Sequence, residues 1–326
     1  MERKSGLALF STRFVWLIGA MLLIMLLSAA CQPLPMSPVT ESSEAMAEGH
    51  DEDAGEDHEH GDADHADDTA ALMGSAEAGA YVFNTTRGCG CHFNRDLGAL
   101  AGGNTFEGDF GAVTTANLTS DEETGLGAAS DQEIANAIRF GVPIGSHDDH
   151  ADAEALFIMP RFAAMSDQDV ADLVAYLRTL EPVANEIPER ALNFEPAAFE
   201  PSQTPPATAP TEGVDRGRYL ATLARCGQCH TPSNEDGSPN MDLLLAGAPF
   251  RDTVAPNLTP DSATGLGDWG EEEIVDFLTT GIYSDGTEAH QGMKGVAERN
   301  LSKMTNEDVV AIAQFLQSLP PVENLP

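Results

Sequence analysis

The stretch Arg225–Thr231, RCGQCHT, sets two cysteines three positions apart and places a histidine directly after the second. Gly88–Phe93, GCGCHF, repeats the arrangement with a single residue between Cys89 and Cys91 and with His92 again adjacent. The chain has five cysteines; four are these two pairs and the fifth is Cys31. Cysteines this close in sequence are poorly placed to staple a fold, and disulfide pairing gives the histidines no role. Cys-x-x-Cys-His has a different use: its thiols add to the vinyl groups of a haem, and the histidine reaches the iron. Cys226, Cys229 and His230 have that spacing. With Cys91 and His92 kept in register, Gly88 rather than Cys89 stands where the first thiol belongs. Three outcomes stay open: two thioethers on an unusual backbone, one thioether through Cys91, or no haem. Gly88 and Gly90 permit unusual backbone angles, which favours a bound haem.

The chain around these motifs is duplicated. His92 maps to His230, and Gly79 and Tyr81 to Gly217 and Tyr219, at an offset of 138 residues. NLTSDEETGLG (Asn117–Gly127) maps to NLTPDSATGLG (Asn257–Gly267) at 140, and MSDQDVADLVAYLRTL (Met165–Leu180) to MTNEDVVAIAQFLQSL (Met304–Leu319) at 139. Each repeat spans about 105 residues. Val170, Leu173, Leu177 and Leu180, and their counterparts from Val309 to Leu319, recur at helical spacing. Ser166 with Asp169, and Thr305 with Asp308, predict capped starts for these last helices. A helix is predicted over Asp131–Phe140, closed by Gly141, and another over Glu271–Thr280, closed by Gly281. Another helix ends at each Cys-His motif. Nothing alternates like a strand for long. The expected fold class is mostly α, two small units with long ordered loops, whose thin cores a covalently tied porphyrin would complete.

Lys and Arg total 16 against 53 Asp and Glu, for a net charge of −37. So acidic a chain does not seek phosphate backbones, and nucleic acid is excluded as a partner. Residues 41–68 hold 13 of the acids and no Lys or Arg, yet the acids elsewhere still far outnumber the bases. The folded part is therefore acidic as well, which points to redox protein partners with basic docking surfaces. Near the N-terminus, Arg3, Lys4 and Arg13 accompany the apolar run FVWLIGAMLLIMLLSAAC, an export signal. Cys31 after Leu27-Ser28-Ala29-Ala30 looks like a bacterial lipobox, predicting lipidation at Cys31 and anchoring at the extracytoplasmic face of the membrane. An uncleaved transmembrane anchor is the alternative. The expected layout is a signal segment over 1–31, a disordered acidic and His-rich tether over 32–73, one unit over 74–182, a Pro-rich linker over 183–212 and a second unit over 213–321. The tether histidines His50, His58, His60 and His65 could collect a divalent cation, but a charged spacer is the plainer reading.

An iron held by a histidine needs a sixth ligand or keeps an open site. Met159 lies 67 residues past His92 and Met293 lies 63 past His230, both expected in loops before the last helix. Pro160 stiffens the step after Met159. Met165 and Met304 align with each other, but each sits just before a helix cap with a valine inside the first turns, which reads as a hydrophobic staple. His147, His150 and His290 are the remaining alternatives.

These residues carry a resemblance. Each repeat resembles a class I cytochrome c domain, over residues 74–182 and 213–321, and the tandem, with NLTPDSATGLGDW and LTTGI after the haem motif, is similar to cytochrome subunits of membrane-bound alcohol and sugar dehydrogenases. The resemblance implies two covalent haem c groups with their iron: one on Cys89 and Cys91 with His92 as proximal and Met159 as distal ligand, the other on Cys226, Cys229, His230 and Met293. It also implies that the Asn-Leu-Thr loops shape the haem edge and that Tyr176 and Phe315 pack between the first and last helices. Some of those subunits carry three haem motifs; this sequence has two.

The function expected is electron relay in a respiratory or photosynthetic chain, without bond chemistry on a substrate. The rival is a dihaem enzyme such as a peroxidase, which needs an open haem site. A haem thiosulfate-oxidising enzyme would want an extra cysteine, and none is spare. Asn117 and Asn257 match a glycosylation acceptor pattern but read as turn residues.

Overall fold

The computed structural model describes residues 73–145, 159–194, 204–235, 237–251 and 253–326. The export signal with Cys31, the tether to residue 72, and His147 and His150 lie outside the described residues. In the first repeat, α1 (Ala76–Thr85), α2 (Asp131–Phe140) and α3 (Asp167–Leu177) form where apolar periodicity and caps predict them. Ser130 and Glu133 close a full capping box, and Gly141 ends α2 at φ 71°. The second repeat has α4 (Gly213–Leu223), a single turn α5 (Gly227–His230), α6 (Glu271–Thr280), α7 (Gln291–Arg299) and α8 (Asn306–Gln317). Gly281 closes α6 at φ 67°.

In each repeat the first helix crosses the last at a glycine. A Cβ on Gly79 would fall on the Asp172 carbonyl and within 2.8 Å of Tyr176 Cβ; on Gly217 it would fall on the Ala311 carbonyl and within 2.9 Å of Phe315 Cβ. The missing side chain lets the backbones approach, and Tyr176 and Phe315 sit against the crossing as the resemblance implies. Phe83 completes the first crossing, its ring centroid 5.0 Å from that of Tyr176.

Short hairpins occupy the loops between. β1 (Thr105–Gly108) pairs antiparallel with β2 (Gly111–Thr114), and β3 (Ala191–Leu192) adds to β2. β4 (Ala248–Phe250) pairs with β5 (Thr253–Ala255). Arms of two to four residues are too short to leave a period-two pattern, which is why the sequence hides them.

The Asn-Leu-Thr triplets act as clamps. Asn117 Nδ2 donates to Val183 O at 2.7 Å, and its Oδ1 accepts from the Thr119 hydroxyl at 2.8 Å. Asn257 repeats both bonds, at 2.7 Å to Val322 O and 2.8 Å from Thr259. Both asparagines are only 2 % exposed, consistent with turn residues and not with sugar acceptors.

The two repeats face each other across a pseudo-twofold contact. Tyr81 of α1 donates to Asp308 Oδ2 at 2.5 Å and accepts from Thr305 N at 3.2 Å, at the start of α8. Tyr219 of α4 donates to Asp169 Oδ2 at 2.5 Å and accepts from Ser166 N at 3.0 Å, at the start of α3. Ser166 and Thr305 cap their helices as predicted, each accepting from the backbone N–H three residues on. The carboxylates of Asp169 and Asp308 instead reach the tyrosine of the other repeat. Asp308 is gripped further by Arg216, at 2.9 and 2.6 Å. Apolar residues of both repeats, from Val82, Ile134 and Leu173 to Leu220, Ile274 and Phe315, join one buried cluster.

Candidate functional site

Both Cys-His loops leave their helices by the same turn. Gly88 N donates to Phe83 O at 2.7 Å, and Cys226 N donates to Ala221 O at 3.1 Å, with Arg87 and Arg225 left-handed at φ 70° and 60°. From each arginine to its histidine the chain has the same length. The first motif is therefore not a shortened loop; its first cysteine is displaced by one position. The backbones part directly after the arginines. Cys226 is helical, at φ −55° and ψ −42°, and starts α5. Gly88 stays left-handed at φ 69°, and Cys89 follows at φ 47° and ψ 33° before the turn Gly90–His92. A side chain at Gly88 would meet the Phe83 ring at 3.4 Å on a backbone that disfavours it. Phe83 stands where the second repeat has Ala221, so an aromatic ring lies beside Gly88 in the first repeat.

The histidines are held alike. His92 Nδ1 donates to Ala116 O at 2.8 Å and His230 Nδ1 donates to Pro256 O at 2.7 Å. Each acceptor carbonyl directly precedes a clamp asparagine, so the buried clamp fixes the oxygen that orients the ring. With the proton on Nδ1, Nε2 presents its lone pair. Burial lowers the pKa of both rings, against a smaller raising effect of the carbonyl bond. A neutral imidazole in a fixed tautomer is the form that ligates a metal. None of the four described cysteines is in a disulfide. Burial pushes Cys89 up to about 12 and Cys226 up to about 11, with the charge of the second cysteine of each pair adding to the rise. Both first cysteines are half-buried, and Cys226 packs against the apolar cluster. Neutral imidazole, paired thiols and an apolar surround fit a covalently attached haem.

The four methionines differ in burial, and Met293 packs partly against the core cluster. Met165 is fully buried and Met304 is 9 % exposed, both within the core cluster with Val170 and Val309. Met159 and Met293 are half-buried. Met293 departs from expectation in lying inside α7 rather than in a loop. His290 caps that helix, its Nδ1 accepting from Gly292 N at 3.3 Å, and Lys294 with Glu298 braces its exposed side. A histidine N-cap is a weak sequence signal, so the sequence does not predict this helix. Trp269 stands edge-on to Phe277 and Tyr283, with centroids 5.6 and 6.0 Å away.

The cytochrome c family profile matches residues 76–181 and again 214–320. The chain belongs to the cytochrome c family. Two tandem cytochrome c domains thus carry two covalent haem c groups. The chain is 31 % identical over 267 residues to the cytochrome c subunit of a quinone-dependent alcohol dehydrogenase from Gluconacetobacter polyoxogenes, covering 76 % of this chain and 56 % of that one. It is 30 % identical over 264 residues to the fructose dehydrogenase cytochrome subunit of Gluconobacter japonicus, covering 76 % and 53 %. The chain therefore spans about half the length of these relatives. A diheme cytochrome c-type protein of Cereibacter sphaeroides is 33 % identical over 274 residues, covering 78 % of this cytochrome c chain and 89 % of its own. These relatives are cytochromes and cytochrome subunits; the peroxidase alternative finds no support among them. Among the described residues no helix is long and apolar enough to cross a membrane.

Proposed function

We propose that this dihaem cytochrome c relays single electrons between redox proteins at the extracytoplasmic face of a membrane, receiving them from a dehydrogenase or another quinol-linked donor and passing them to a terminal acceptor. The observation that carries the reading is the duplicated histidine cradle, two neutral imidazoles each fixed through Nδ1 on a clamped carbonyl. A bound haem supplies a one-electron couple at its iron. The chain's own residues do the rest. His92 and His230 offer Nε2 as proximal ligands, and Met159 and Met293 as thioether ligands that close the sixth position against small molecules and raise the potential. Cys226 and Cys229 tether the second porphyrin. Cys89 and Cys91 tether the first.

Lipidation of Cys31 would hold the relay near a membrane partner, with the acidic tether as a spacer. The overall charge of −37 favours partners with basic surfaces over most of the molecule. The absorption spectrum of the oxidised holoprotein tests the reading. A long-wavelength sulfur-to-iron band, with no carbon monoxide uptake by the reduced protein, is expected; rapid carbon monoxide binding at both haems would overturn it.

A further inference from the structure

The two repeats hold their distal methionines by different means. Met293 rides on α7, whose backbone packs against the end of α6 where Gly281 has no side chain; a Cβ there would stand 3.0 Å from Lys294 Cα and 3.4 Å from Ala297 Cβ. Met159 starts a loop instead. The loop runs to Ser166 with one turn, closed by Met165 N donating to Phe162 O at 2.8 Å. Two consecutive residues of α2 tie it down. Ile138 O accepts from Phe162 N at 3.1 Å, and Arg139 Nε donates to Met165 O at 3.1 Å. The other arm of the Arg139 guanidinium reaches the Asp167 carboxylate at 2.7 Å, in the first turn of α3. Arg139 is only 8 % exposed. Burying a guanidinium is costly unless its donors are used, and here two of them span the end of the loop and the helix it enters.

In the second repeat this clip is replaced. Thr279 stands at the matching position, 140 residues on, and its hydroxyl turns back to Val275 O and Asp276 O of its own helix. The buried guanidinium therefore goes with the methionine on a loop, and a threonine with the methionine on a helix. A thioether brings no charge to an iron, so its hold depends on the backbone that presents it. Pro160, with its fixed φ, passes restraint along the chain to Met159. We propose that Arg139 is a positioning residue for the first haem: its guanidinium clips the Met159–Met165 loop to α2 and so keeps the Met159 thioether on the iron. This role rests on the relay reading, in which Met159 is the sixth ligand, and adds the group that keeps the first site closed. Without the clip the loop is released and the sixth position opens to small molecules.

Carbon monoxide uptake by the reduced holoprotein, counted per chain, tests the role, with the methionine methyl resonances of the reduced haems as a second readout. The wild type should take up none and show two such resonances. R139Q should bind one equivalent and lose one resonance, the other keeping its position. M159A should also bind one, and R139Q/M159A still only one, since both changes act on the same iron. D167N cuts the ion pair but leaves the Nε bond to Met165 O; it should lower the denaturant midpoint with both haems closed. R139K keeps the charge, but one ammonium does not span two acceptors set on the fork of a guanidinium. Should R139Q fail to retain haem, R139K decides in its place and is expected to bind one equivalent. A haem-loaded R139Q, or R139K in its stead, that takes up no carbon monoxide overturns the role. So does D167N opening as far as R139Q, which would mark a merely structural ion pair, and so do two equivalents in the double variant. Uptake by the wild type, or none by M159A, would instead strike the relay reading or its choice of ligand, and this role with it.

Discussion

At the scale of single residues, the displaced cysteine is the sharpest difference between the repeats. Its displacement was legible in the sequence; its consequence was not, because the outcome depends on backbone angles at Gly88 and Cys89 that composition does not specify. Two thioethers are expected in the first repeat. Cys89→Ala should leave its haem singly attached through Cys91, shifting the haemochrome band of the alkaline pyridine complex to longer wavelength, while the proteolytic haem peptide of the second repeat keeps its mass. An unshifted band with Cys89→Ala would show that Cys89 never bonds. The histidines were legible from adjacency to cysteine alone. Their Nδ1 partners, Ala116 and Pro256, were not, since a backbone carbonyl leaves no signature in residue type.

Among elements, the helices read well because each has an apolar stripe together with a cap: Ser130 and Glu133 on α2, Gly281 after α6. The hairpins and α7 did not, being short or capped by an atypical residue. The glycine crossings make a strong prediction at this scale. Gly79→Ala, or equally Gly217→Ala, puts a methyl group against a backbone carbonyl that cannot retreat without parting two helices. A loss of about 2 kcal/mol or more is expected from overpacking, read from the denaturant midpoint of the holoprotein. The clamps couple an element to the chemistry. Asn117→Ala removes a buried side chain that holds Val183 O and answers Thr119, and should cost about 1–3 kcal/mol. It should also loosen the carbonyl that orients His92, broadening the spectrum of the first haem alone. A stability loss with both haem spectra unchanged would confine the clamp to packing.

For the whole molecule, duplication was legible in the constant offset, but the manner in which the copies meet was not. Asp169 and Asp308 look like ordinary first-turn acids; nothing in either repeat by itself shows that each takes a tyrosine from the other. The two halves of this lock respond oppositely to pH. Burial raises the pKa of Asp169, while Asp308, despite burial acting to raise it, is held low by Arg216 and Tyr81. A carboxylate with a lowered folded pKa stabilises above its ordinary value of 3.8 and loses that contribution as pH falls through the lowered one. Asp169 has the reverse sign: the stability it lends is full below its ordinary value of 3.8 and fades as pH rises through its raised value. Asp308→Asn should therefore destabilise near neutrality, by about 3 kcal/mol for a partly buried pair left with one charge, and flatten the acid limb of stability against pH. Asp169→Asn should cost less at neutral pH, and an equal cost for the two would refute the asymmetry.

The central claim is that each repeat holds one iron between a histidine and a methionine. Electron paramagnetic resonance of the oxidised holoprotein, with the spins integrated against polypeptide, tests it most directly. Two low-spin ferric centres per chain are predicted. A high-spin ferric signal from either repeat, or integration to a single haem, would contradict it.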